Sequence, residues 1–76
     1  MITGQQIRIA RYALRWSAEV LAEAVDVNPK TIRRIEAADG LPDSTMKTIS
    51  QIQTVLEAAG IEFIGTPDDG PGIRIY

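Results

Sequence analysis

The stretch SAEVLAEAVDVNPKTIRRIE, Ser17 to Glu36, constrains the fold more than any other part of the chain. It reads as two short helices joined by a tight turn. Ser17 is a good N-cap, because its hydroxyl accepts a hydrogen bond from an otherwise unpaired backbone N–H. Val20, Leu21, Ala24 and Val25 then recur at helical spacing. Asp26 and Val27 break the pattern, and Asn28-Pro29 restarts it with a side-chain cap and a proline at the first helical position, where the missing N–H costs nothing. In the second helix Ile32 and Ile35 face inward as i and i+3. Lys30, Arg33 and Arg34 are left toward solvent. A short helix anchored by two isoleucines and cationic near its N-terminus suits the DNA major groove.

The rest of the chain continues in helices and then changes character. Thr3 and Gln6 have the spacing of a capping box opening a first helix. Ile7, Ala10, Arg11 or Tyr12, and Leu14 give that helix an inward stripe to about Arg15. Gly40-Leu41-Pro42 ends the third helix, and Asp43 or Ser44 is expected to cap a fourth with Met46, Ile49, Ile52, Leu56 and Ala59 inward and Gly60 as its stop. Two β-like runs follow, Ile61–Ile64 and Ile73–Tyr76, separated by the turn formers GTPDDGPG. The expected fold is therefore mainly α, with four to five helices over residues 1–60 and a β-like tail over 61–76. Trp16, just before a capped helix, reads as a hydrophobic staple in the core, and Tyr12 as half-buried.

Charge is unevenly spread. The chain carries net charge −2, yet residues 1–47 hold seven cations against six acids, and residues 48–76 hold Arg74 against Glu57, Glu62, Asp68 and Asp69. The cationic end can face a polyanion while the acidic end faces away, although the basic footprint is thin for a DNA binder. Arginine offers two donors to guanine O6 and N7, and lysine reaches guanine or phosphate. Asn28 reads first as a cap. Ser17 and the first-turn N–H groups of the second helix can hold a phosphate.

The ordered set Leu21-Ala22, Val27-Asn28, Thr31-Ile32, Ile35-Glu36, Gly40 and Pro42 resembles the phage-repressor type of helix-turn-helix, the XRE class. The resemblance runs from about Gln6 to Leu56. It implies a repressor-like helical fold, a recognition helix from about Pro29 to Ala38, and DNA contacts from Ser17, Asn28, Pro29, Lys30, Thr31, Arg33 and Arg34, with Thr31 on phosphate. It also implies an ion pair between Arg11 of the first helix and Glu36 at the end of the recognition helix. Three departures stand out. Asp26 replaces the turn glycine, Ala18 sits where the family often has a DNA-contacting glutamine, and Ala38-Asp39 before Gly40 shift the following loop. The tail segments Gly60–Ile64 and Gly70–Arg74 resemble the ends of small repressor-like bacterial proteins.

Length sets the remaining expectations. At 76 residues one core is possible and burial is marginal without help. With no cysteine or histidine, disulfides, thiolate chemistry and Cys/His zinc sites are excluded. No catalytic role, cofactor or metal site is expected. The opening MITGQQIRIAR lacks an apolar core of signal-peptide length and no stretch approaches a membrane span, so the expectation is a cytoplasmic protein. A lone hairpin is marginal and isoleucine-rich strand edges are a liability. The tail is thus expected to pair strands between two chains, with Ile61, Phe63, Ile64, Ile73 and Ile75 forming a homodimer interface, or else to fold back as a hairpin within one chain. The functional expectation is a dimeric repressor on a palindromic DNA operator. The alternative is an antitoxin or protein-interaction module whose acidic tail binds a toxin or other protein partner.

Overall fold

The computed structural model describes residues 2–38, 45–66 and 68–76. Four helices are followed by an antiparallel hairpin: α1 (Gly4–Ala13), α2 (Ala18–Ala24), α3 (Pro29–Glu36), α4 (Met46–Ala58), β1 (Ile61–Thr66) and β2 (Asp69–Ile75). The expected stop at Gly40–Pro42 and the expected cap at Asp43 or Ser44 lie outside the described residues. The cap of α4 is Thr45 instead, whose side chain accepts from the Thr48 N–H. Among the described residues no helix is long and apolar enough to cross a membrane.

Local chemistry explains the helix starts. Thr3 and Gln6 make the reciprocal capping box of α1, with bonds of 3.0 and 2.8 Å. Ser17 caps α2 by accepting from the Val20 N–H at 3.1 Å, and Asn28 caps α3 by accepting from the Lys30 N–H at 2.8 Å.

The ends of α1 and α2 share one device. After α1, the Trp16 N–H returns to the Arg11 carbonyl and the Arg15 N–H to that of Tyr12, both at 3.0 Å. After α2, Val27 returns to Ala22 at 3.0 Å and Asp26 to Glu23 at 3.3 Å. Each is a Schellman turn, with its pivot residue in the left-handed region: Arg15 at φ 59° and Asp26 at φ 56°. Neither pivot is glycine. The apolar residue after each pivot, Trp16 or Val27, packs against the core, and the next residue caps the following helix. Leu-Arg-Trp-Ser and Val-Asp-Val-Asn are thus equivalent four-residue corners. At α4 the pivot is Gly60, φ 101°.

One core joins the elements. Ile7, Leu21, Ile32, Ile35, Ile49, Ile52 and Leu56 are fully buried, with Ala10, Ala22 and Ile61 beside them. Burying each large aliphatic side chain contributes about 1.5–3 kcal/mol. Three residues of the expected inward stripes fall outside: Val20, Ala24 and Met46 are exposed. In α2 the buried residues are Ala18, Leu21 and Ala22, because α2 packs on α3 through the side opposite Val20. Tyr12 is more exposed than expected, at 62 %. Gly4 fits against the end of α3 so closely that a Cβ there would overlap the carbonyl oxygens of Ile35 and Ala38.

The tail takes the intrachain alternative. β1 and β2 of the same chain pair in the register Ile61↔Ile75, Phe63↔Ile73 and Ile64↔Gly72, with an irregularity between Ile64 and Thr66. β1 lies against α4 and β2 against α1. Ile61 is buried and Phe63 and Ile73 pack against the core of their own chain, so these three residues are spent internally. Of the five residues expected at a dimer interface, Ile64 and Ile75 are exposed, as is Tyr76. The hairpin is stabilised by the helices beneath it.

Candidate nucleic-acid interface

The α2–turn–α3 unit carries the residues in question. Ile32, Ile35 and Glu36 are the buried residues of α3, which leaves Lys30, Arg33 and Arg34 exposed. The helical repeat places Lys30, Arg33 and Arg34 together as i, i+3 and i+4. Asn28 is exposed at the cap, and Pro29 and Thr31 are half-buried. Ser17 sits exposed at the start of α2. Its oxygen accepts the capping bond, so its O–H proton remains available to donate. The Asn28 Oδ1 is likewise used for the cap, with its NH2 group left over. Ala18 is buried and offers no polar atom where the family resemblance has a glutamine.

Arg33 is not free in the way the sequence suggests. Its guanidinium is paired with Glu19, from the first turn of α2. Both side chains remain more than half exposed, so the pair is a weak one. The Glu19 carboxyl is held below the ordinary glutamate range, first by a bond to its own backbone N–H at the α2 N-terminus and then by Arg33. Among the described residues neither Lys30 nor Arg34 has a carboxylate partner.

Arg11 and Glu36 meet across α1 and α3. Arg11 Nε donates to Glu36 Oε2 at 2.7 Å and Nη2 to Oε1 at 2.8 Å, and Nη1 donates to the Trp16 carbonyl at 2.9 Å. Both side chains are nearly inaccessible. The guanidinium lies 4.6 Å from the centroid of the Tyr12 ring. Its hydrogen bonds to Glu36 raise its pKa above the usual arginine value. The pair fixes α1 against α3 and ties both to the α1–α2 corner.

A shallow concavity of about 340 Å³ opens beside this pair, lined by Arg8, Arg11, Tyr12, Arg33, Glu36 and Ala37. Sequence reasoning missed Arg8 and Tyr12 here. The available signal was their spacing, since Arg8, Arg11 and Tyr12 share one face of α1 as i, i+3 and i+4. Glu19 left no such signal, because its partner lies on another helix. A second groove, about 450 Å³, lies between the end of α2 and α4 and includes none of the expected DNA-contacting residues. No family model, no curated protein and no solved structure matches the chain.

Proposed function

We propose that the chain is a sequence-specific, DNA-binding transcriptional regulator with a repressor-like helix-turn-helix, reading the major groove with α3. The observation that carries this reading is the division of α3. Ile32 and Ile35 are wholly buried while Lys30, Arg33 and Arg34 all stand outside, on a short helix held at a fixed angle by the Asp26 corner and the Arg11–Glu36 pair. Arginine and lysine supply donors to guanine edges and phosphates, and the Ser17 hydroxyl and α2 N-terminus supply a phosphate anchor. The regulator acts as a two-fold dimer on a palindromic operator, its copies joined through the outer face of the hairpin at Ile64 and Tyr76, with Ile75 at the hairpin's exposed edge. Bound at a promoter, it represses by excluding polymerase. Selection of bound duplexes from a random pool tests the reading. A recovered palindrome whose half-sites are one helical turn apart, about 34 Å, supports it, and recovery of no enriched sequence overturns it.

A second reading is favoured by the same hairpin. The outer face of the hairpin exposes Ile64 and Tyr76, and its tip carries the exposed carboxylates Asp68 and Asp69, features suited to a cationic, partly apolar protein such as a toxin held by its antitoxin. Co-expression with the product of a neighbouring gene, giving a stable complex, distinguishes it from the plain repressor.

A further inference from the structure

We propose that the concavity between α1 and α3 is a binding site for a phosphate group, with Arg8 as its principal charge. Three arginines, Arg8, Arg11 and Arg33, line it beside one acidic residue, Glu36. Its carboxylate is already matched by the two bonds from Arg11. Arg33 is shared with Glu19. Arg8 has no carboxylate partner among the described residues, and its one hydrogen bond is a long one, 3.5 Å from Nη1 to the Glu36 carbonyl. Among the described residues four of its five donors are therefore unspent beside an open, cationic hollow. Tyr12 lines the same hollow and carries a hydroxyl that donates to anions. A guanidinium fork matches the tetrahedral oxygens of phosphate in pairs.

The hollow is continuous with the cationic face of α3, because Arg33 belongs to both. The phosphate is accordingly that of a nucleic-acid backbone running from α3 onto α1, an identification that rests on the DNA reading above. Inorganic phosphate offers the same oxygens and is separated from it by experiment. A backbone contact positions the protein without reading sequence.

The test uses the full chain with Arg8→Gln and Arg8→Lys. Each is titrated with the selected duplex and a scrambled one between about 50 and 200 mM salt. Arg8→Gln is expected to weaken both duplexes by the same factor and to lower the salt slope by about one, so that its affinity falls roughly 4-fold less than wild type's across that range. Arg8→Lys keeps the slope, since the charge remains. Slope and affinity unchanged in Arg8→Gln overturn the site, and so does an equal loss of slope in Arg8→Lys, which marks a merely structural role. If the wild-type chain binds no duplex, the DNA reading fails by itself, and inorganic phosphate followed by NMR decides the site. Shifts at Arg8 and Tyr12 that vanish in Arg8→Gln retain it as a free-phosphate site, and their absence removes it.

Discussion

The side-chain amide of Gln6 donates to the Gly72 carbonyl at 2.8 Å, linking α1 to β2 across almost the whole chain. The same nitrogen donates to the Ile64 carbonyl at 3.0 Å, and Gln6 Oε1 accepts from the Thr3 N–H at 2.8 Å. One buried side chain thus caps a helix and clamps the hairpin. Gln6→Met preserves the volume and removes these bonds. It is expected to cost roughly 1–3 kcal/mol through the polar groups left unpaired, or a fall of at least about 4 °C in Tm for a domain of this size. Faster amide exchange across Ile61–Ile75 accompanies it. A variant with wild-type melting and exchange shows that the hairpin docks through its apolar face alone.

Arg11 and Glu36 form a buried pair, and removing one partner strands the other. Arg11→Met and Glu36→Gln are each expected to cost about 3–5 kcal/mol, and the double variant much less than their sum. Thermal melts of the three chains measure the coupling. Additive effects contradict an energetic link between the two residues.

The left-handed pivots Arg15 and Asp26 carry a backbone cost that glycine avoids. Against this, glycine adds freedom to the unfolded chain. The net expectation is a gain of up to about 1 kcal/mol for Arg15→Gly and a smaller one for Asp26→Gly, since aspartate tolerates this conformation better than arginine. Denaturant midpoints rank them, and the reverse order refutes the argument.

Arg34→Ala removes an outward cation that has no carboxylate partner among the described residues. It is expected to weaken binding to the selected operator by roughly 1–3 kcal/mol and to relax preference at one base position, with helical circular dichroism intact. Loss of binding that is equal on all sequences places Arg34 on phosphate instead.

Glu19 reports the state of Arg33. Its carboxyl pKa is lowered in the folded chain, so its stabilising contribution is present above the ordinary glutamate value and fades as pH falls through the lowered one. Arg33→Ala is expected to move that pKa partway back up. The bond to its own backbone N–H, which lowers it most, persists. A carbon-13 carboxyl titration shows the shift, and an unmoved Glu19 means the two side chains do not pair in solution.

Self-association is tested by Ile64→Lys with Ile75→Lys, both on exposed positions. Sedimentation is expected to show a dimer for the wild-type chain and a folded monomer for the variant, with weaker binding to a palindrome. A wild-type monomer that binds the palindrome tightly ends the dimer reading. Truncation after Gly60 is less informative, because it also removes Ile61 from the core and the partners of Gln6.

Short-range chemistry made much of this protein legible in its sequence. The caps at Thr3, Ser17 and Asn28, the turn at Asp26 and the stop at Gly60 depend on residues within one helical turn of each other, and Ile32 and Ile35 announce the inner face of α3 by spacing alone. Tertiary packing decided what spacing cannot encode. Val20 and Met46 match an inward stripe yet lie outside, because a face is buried only where a neighbouring element covers it. Arg15 takes a left-handed turn without any glycine signal, since Trp16 must reach the core. The strands pair within one chain because helices α1 and α4 offer them a surface and Gln6 satisfies their carbonyls. Arg8, Tyr12 and Arg33 come together from two helices, and so does Glu19 with Arg33. Charges far apart in sequence carry no periodic mark, and only the crossing of the helices that hold them sets the distance between them.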